Sequence, residues 1–226
     1  TSMIEELVNH EARFPLSLDV FRASSDEKAR ALLRGALKHL GLRSPSLARL
    51  TEMARQFKYA RDDGRVSLKV SEDRSLGIHR GHIYCYQHIS SYSVKWRGEK
   101  EILLPHGVLR CLDNQACRGV RVDLDSDTVE ITCRKSPNET LKRANRPQRT
   151  LGDLLREAGV PHWARDAYPR VYQNDRLVCV PSRGVDECAH AHPKGQYVDF
   201  IFEPNEVSQG SVERALTTQT NKSRRR

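Results

Sequence analysis

The sequence has no run of about 18 apolar residues, so no membrane-spanning helix is expected and no membrane partner with it. Its first residues, Thr1-Ser2-Met3-Ile4, carry no basic region followed by an apolar one, so no secretory signal is visible. Thr1-Ser2 ahead of Met3 reads as a cloning remnant, and the chain is expected to begin inside a longer natural protein. There is no internal repeat and no Gly-x4-Gly-Lys-Ser/Thr phosphate loop. Tryptophan is scarce, with two in 226 residues. Acid is short as well: 38 Lys and Arg face 29 Asp and Glu, a net charge of +9. That excess favours a polyanionic partner such as RNA, DNA or an anionic surface, because net charge speaks of partners and not of fold. A protein that is simply basic is the alternative.

Six cysteines are present. Cys85, Cys133 and Cys179 sit in apolar, strand-like runs, and Cys111 follows one. All read as free thiols acting as small buried hydrophobes, which suits a reduced, cytoplasmic setting. Cys188, His190 and His192 lie two residues apart and lack a fourth ligand nearby, and structural zinc takes four. Cys111 and Cys117 match no common zinc spacing. The segment reads as a polar loop, and no metal is expected.

The fold class expected is α+β. Residues 24 to 40 read as a helix capped by Ser24 or Ser25, with Ala29, Leu32, Leu33, Ala36, Leu37 and Leu40 on one apolar face. A second helix follows Ser44 and Pro45, with Leu47, Leu50, Met53, Ala54 and Phe57 as its stripe. The period then drops to 2: Val66, Leu68 and Val70 alternate, and Leu76 to Tyr86 forms a hairpin about Arg80-Gly81, packed on the two helices. This makes residues 1–90 a helical domain with a β-hairpin. Residues 91–206 read as a strand-rich linker and a small α+β domain, and 207–226 as a disordered basic tail. Within the second domain Val129, Ile131 and Cys133 share one strand face. Lys135 to Arg149 is a basic loop. Thr150 caps a short helix with Asp153 at the capping-box position, which stops at Gly159 and Pro161. Val171–Gln173 and Leu177–Val180 make a hairpin about Asn174-Asp175, and Tyr197 to Glu203 a final strand.

The stretch from Val129 to Val185 resembles the C-terminal domain of the bacterial tRNA(Ile)-lysidine synthetase family. The positions that carry the resemblance are Arg134, Glu139, Gly159, Val160, Pro161, Trp163, Arg165, Asp166 and Pro169. The N-terminal part resembles the same family's substrate-binding domain through "ALLRGALKHLG", "PS", "ARDD" and "LGIHRGHIYCY". Two blocks in the family's order cover most of the chain. The family's basic-Gly-Gly-Glu-Arg turn is here Lys135-Ser136-Pro137-Asn138-Glu139-Thr140, and its paired lysines at the helix start are Gly152-Asp153.

The resemblance implies the non-catalytic, tRNA-recognition part of an ATP-dependent ligase. In the family, ATP and Mg serve a Ser-Gly-Gly-x-Asp-Ser domain that adenylates the wobble cytidine of the CAU-anticodon isoleucine tRNA, and lysine then displaces AMP. That motif does not occur in this sequence. The chain alone is therefore expected to be inactive, with no cofactor of its own and tRNA as partner; lysine and ATP would enter only through the missing domain. A free-standing RNA-binding or protein-interaction module is the competing reading. An A-form stem is gripped through phosphates, 2′-hydroxyls and shape, so the expected contacts are Lys135, Lys142, Arg143, Arg146 and Arg149. Arg30, Arg34, Arg49, Arg55, Lys58 and Arg61 join them from the helical domain. Each alone is equally a solvated charge. The Lys135–Arg149 run argues as a set, because five like charges on one loop repel unless a polyanion meets them. Pro161, Trp163, Arg165 and Asp166 read as structural: Trp163 packs over the helix stripe with its indole N–H paired, and Arg165 with Asp166 ties the turn.

Overall fold

The computed structural model describes residues 12–62, 64–114, 119–136, 138–190 and 195–205. The proposed basic tail, Cys117, His192 and the side chain of His190 lie outside the described residues. The class is α+β, and the chain divides between His88 and Ile89 into two compact units.

The first unit opens with β1 (Leu16–Ser17), α1 (Leu18–Ala23), α2 (Asp26–His39) and α3 (Leu47–Tyr59). Serines start each helix: Ser17, Ser25 and Ser46 accept the backbone N–H of Val20, Lys28 and Arg49. The second long helix thus begins two residues later than the Ser44-Pro45 reading placed it, because Ser46 is the residue that meets the third N–H. Ala29, Leu32, Leu33, Ala36 and Leu37 of α2 are buried, as are Leu50, Met53, Ala54 and Phe57 of α3. Leu40 and Leu47, assigned by period to the same stripes, are 41% and 61% exposed. Each lies at a helix end, where the stripe runs out of partner surface. Phe21 and Phe57 meet edge to face at 6.2 Å inside this core.

Strands β2 (Ser67–Lys69), β3 (Arg74–His79) and β4 (His82–Gln87) follow. Arg80 and Gly81 both take positive φ, 48° and 72°, the geometry a two-residue hairpin turn demands. The hairpin is not alone: β1 pairs with β4 and β2 with β3, giving an antiparallel sheet in the order β1-β4-β3-β2. Leu68, Leu76, Ile78 and Ile83 turn one side of it to the helices' core.

The second unit contains β5 (Ser93–Trp96), β6 (Glu101–Leu104), β7 (Gly107–Asp113), β8 (Val120–Val122), β9 (Val129–Thr132), β10 (Thr140–Leu141) and β11 (Arg149–Thr150). These lead to α4 (Leu151–Glu157), α5 (His162–Arg165), β12 (Arg170–Gln173), β13 (Arg176–Val180), β14 (Gly184–Val185) and β15 (Gln196–Pro204). One sheet runs β14-β13-β12-β9-β5 and another β6-β7-β15-β8, and both contribute to a single apolar core. Trp96 sits there edge-on to Phe200 at 5.4 Å, its indole N–H donated to the Glu99 carbonyl. The segment read as a strand-rich linker belongs to this core, through Trp96, Ile102, Leu104, Leu109, Val120 and Val122 among others; β7, which sequence patterning missed, pairs with β15 from Gly107 to Asp113. Asn174 and Asp175 turn the β12–β13 hairpin with φ of 50° and 62°, as their dipeptide foretold. The described cysteines are all free, and burial pushes the Cys111 thiol up to about 12.

His106 is 4% exposed, with the rings of Tyr92 and Phe202 at 5.6 and 4.9 Å. Burial pulls its pKa down to about 4, whereas an unfolded histidine titrates near 6.5. The unfolded chain therefore binds the extra proton first, and stability falls as pH drops from about 6.5 to 4, by roughly 3 kcal/mol in all. In urea titrations across that range, His106→Phe is expected to flatten the pH dependence by this amount relative to the wild type.

Candidate nucleic-acid interface

The region from Lys135 to Arg149, expected as a loop, is a short hairpin. Strands β10 and β11 pair Thr140 with Thr150 and Leu141 with Arg149. Gln148 donates from its side chain to the Thr140 hydroxyl at 2.6 Å. The Arg146 N–H closes the tip on the Arg143 carbonyl at 3.1 Å, with Asn145 at φ 58°. Leu141, 2% exposed, plugs the hairpin into the core. Lys142 is held by its backbone: its N–H donates to Asp186 and its carbonyl accepts from the Glu187 N–H. At the far end the Thr150 hydroxyl accepts the Asp153 N–H and donates to the Asp153 carboxylate, so Thr150 starts α4 as the sequence indicated.

Beneath the hairpin lies a buried ion pair. Glu139 and Arg170 side chains are 9% and 3% exposed, with Oε2 and Nε 2.7 Å apart. The other oxygen of Glu139 accepts the backbone N–H groups of Lys135 and Ser136 and the Tyr172 hydroxyl. The Arg170 guanidinium donates to the carbonyls of Arg165, Asp166 and Tyr168. The Glu139 carbonyl receives the Leu151 N–H at the first turn of α4. Burial first, then the hydrogen bond to Glu139, pushes the Tyr172 phenol up, so it remains a donor. Sequence reasoning passed over Arg170 and Tyr172. The signal available was a charged residue opening an apolar strand.

The expected cations divide into two groups. Lys135 meets Glu130 and stands 4.3 Å above the Tyr172 ring. Lys142 pairs with Glu187 at 2.6 Å and Arg149 with Glu157 at 2.8 Å. Arg143 and Arg146 have no carboxylate partner among the described residues. Arg143 is half-buried, and its stem crosses Gly184 so closely that a Cβ there would lie 2.6 Å from Arg143 Cδ. The repulsion argued from five like charges on one loop is therefore overturned for three of them: acids outside the run neutralise them.

In the first unit, Arg55 forks onto Glu52 at 2.9 and 2.8 Å, and that hydrogen bonding, with Gln56 second, holds the Glu52 carboxyl down at about 2. Lys58 donates to Asp26 and to the Ser24 carbonyl. Arg49 reaches the Lys69 carbonyl at 3.5 Å. Arg34 and Arg61 are exposed and Arg30 half-buried, none with a carboxylate partner among the described residues.

Pro161 is the residue before α5. Trp163 is half-buried and stands edge-on to His162 at 4.9 Å, while Ala164 makes the turn's contact with the core. Arg165 donates to the Val160 carbonyl at 2.9 Å. Asp166, expected with Arg165 to tie the turn, accepts from Arg134 at 2.6 Å, and the Arg134 N–H bonds its carbonyl. The same Arg134 guanidinium donates to the Ser136 carbonyl at 3.1 Å, so it joins the chain after β9 to the end of α5. A polar cleft of about 50 Å³ opens here, lined by Arg134, Ser136, Glu139, Gly152, Arg165 and Asp166 among others. Among the described residues no His, Cys, Asp and Glu side chains gather as a metal set, and no helix is long and apolar enough to cross a membrane.

Comparison with known proteins finds two family matches in this order: "TilS substrate binding domain" over residues 16–86 and "TilS substrate C-terminal domain" over residues 129–200. The chain is 29% identical over 211 residues to the tRNA(Ile)-lysidine synthase of Burkholderia mallei, covering 77% of this chain and 43% of that protein. It is 29% identical over 205 residues to the protein of the same name from Nitrosomonas europaea, covering 87% and 44%. The chain thus spans under half the length of these curated relatives. A crystal structure of a TILS C-terminal domain aligns with 51% of this chain and 98% of its own at 19% identity and a TM-score of 0.40.

Removing either member of a buried ion pair strands the other, at a cost of about 3–5 kcal/mol. Glu139→Ala and Arg170→Ala are each expected to lose that much in urea unfolding, whereas Lys142→Ala, which breaks the exposed pair with Glu187, should lose under about 1 kcal/mol. Equal losses for Glu139→Ala and Lys142→Ala would contradict the assignment of Glu139 as the hairpin's anchor.

Proposed function

The chain belongs to the TilS family through its substrate-binding and C-terminal domains, and we propose on that footing that it is the tRNA-recognition part of a tRNA(Ile)-lysidine synthase. The substrate would be the isoleucine tRNA whose CAU anticodon carries the wobble cytidine, and the setting the cytoplasm. Ligation, with its ATP, Mg and lysine, would fall to a segment outside this chain, since the sequence has neither a Ser-Gly-Gly-x-Asp-Ser motif nor a phosphate loop. This chain's own share is to hold the body or acceptor stem of the tRNA.

One observation carries the reading. Arg143 and Arg146 present guanidinium groups with no carboxylate partner at the tip of a hairpin fastened to the core through Leu141 and Glu139. A phosphate that meets an unpaired guanidinium gains a charge-assisted contact without first breaking an ion pair. A tip already fixed in place loses little freedom on binding. Lys135, Lys142 and Arg149 set the local positive field but hold acids of their own. The contact is therefore assigned first to Arg143 and Arg146. Readout of this kind suits an A-form stem, whose bases are hidden and whose backbone is not.

Titration of the full chain with an unmodified tRNA(Ile) transcript should show affinity falling steeply with salt, by about 0.9 logarithmic units per phosphate neutralised for each tenfold rise in salt. Arg143→Glu combined with Arg146→Glu is expected to weaken binding by about ten- to a hundredfold at low salt and to leave the unfolding midpoint in place. Arg149→Gln should matter less. Salt-independent binding, or a double variant that binds like the wild type, would refute the reading.

A further inference from the structure

Between Glu27 and Glu52 the sequence holds Lys28, Arg30, Arg34, Lys38, Arg43 and Arg49 and no acid. The fold arranges the middle of this run. The apolar residues of α2 take its inner face, and Arg30, Arg34 and Lys38, four residues apart, fall together on the other side in steps of about 6 Å along the axis. Arg34 and Lys38 are exposed and Arg30 is half-buried. None has a carboxylate partner among the described residues. Asp26, one turn before Arg30, is held low first by its hydrogen bond with Lys58, and Arg30 acts on it only at range.

Such a stripe works against the helix that carries it. Like charges four residues apart weaken a helix, and these steps are shorter than the screening length of about 8 Å at physiological salt. Among the described residues no carboxylate pairs with the stripe, and Asp26 offsets the repulsion only at range, through Arg30. On α3 the arrangement is the reverse: Arg55 is forked onto Glu52, Lys58 onto Asp26 and the Ser24 carbonyl. A phosphate could take those cations only by breaking contacts the fold already makes.

We propose that the outer face of α2, with Arg30, Arg34 and Lys38, is the surface on which the first unit meets the RNA backbone, and that α3 is not. The assignment rests on the reading of the chain as a tRNA-recognition part. It adds Lys38 to the interface and removes Arg55 and Lys58, which sequence reasoning had placed there.

The test uses the full chain and a tRNA(Ile) transcript with a CAU anticodon, titrated between about 50 and 200 mM salt. Arg34→Gln with Lys38→Gln should bind about ten- to thirtyfold more weakly at the low-salt end. Its plot of log affinity against log salt should be shallower by about 1.8, the share of two phosphates. Its melting temperature should stay level or rise, because the repulsion is relieved. Arg55→Gln should leave the slope unchanged. If the wild type shows no salt-dependent binding, the tRNA-recognition reading falls and this surface with it. If the wild type binds steeply and the α2 variant keeps the full slope, or Arg55→Gln lowers it equally, only the assignment to α2 is overturned.

Discussion

A carboxylate and a guanidinium withdrawn from water together hold the second unit in order. Removing Glu139 and Arg170 from solvent costs several kcal/mol for each ion, and their mutual attraction offsets this only when the remaining donors and acceptors are also met. They are met by scattered pieces of chain. The N–H groups of Lys135 and Ser136, the Tyr172 hydroxyl and the carbonyls of Arg165, Asp166 and Tyr168 all converge on the pair. The network is complete only when the basic hairpin, the start of α4, the end of α5 and strand β12 stand in one arrangement. A buried network held at so many points favours a single conformation over its competitors.

The same account changes what the net charge of +9 means. Five of the eleven expected cations are paired with an acid within the fold, some with one far away in sequence, as Lys142 is with Glu187 and Lys58 with Asp26. A net charge is a sum and does not reveal which charges are left over. Among those without an acid, two small sets stand out, the hairpin tip and the outer face of α2. They stand on supports held by core leucines and, under the hairpin, by the buried pair.

Local features were the legible ones. The apolar faces of α2 and α3, the Thr150 cap, and the turns at Arg80-Gly81 and Asn174-Asp175 depend on neighbours within a few residues, and the chain order displays them. Strand β7 pairs locally with β6, but its longer pairing, with β15, lies far along the chain and leaves no local signal; Arg110 and Glu203, joined across that pair, are 93 residues apart. Strand β1 has two residues, too few for any period to show. For the interface, residue types could name the candidate cations but could not sort them. Sorting needs the positions of Glu130, Glu157 and Glu187, which only the folded chain provides. Arg170 was passed over because nothing in the chain order marks it as buried, whereas every residue of β12 is.

The long pairing of β15 also governs when this unit can exist. It lies between β7 and β8, two strands that have each other's sheet only through it. During synthesis β7 and β8 emerge early and must wait for residues 196–204 before either gains that neighbour. Contacts so distant in sequence close slowly, and in the interval an open strand edge can recruit another chain. A message truncated before Gln196 would release β8 with no ladder partner. The arrival of β15, and not of any earlier strand, is therefore the event that commits this sheet to the second unit's core.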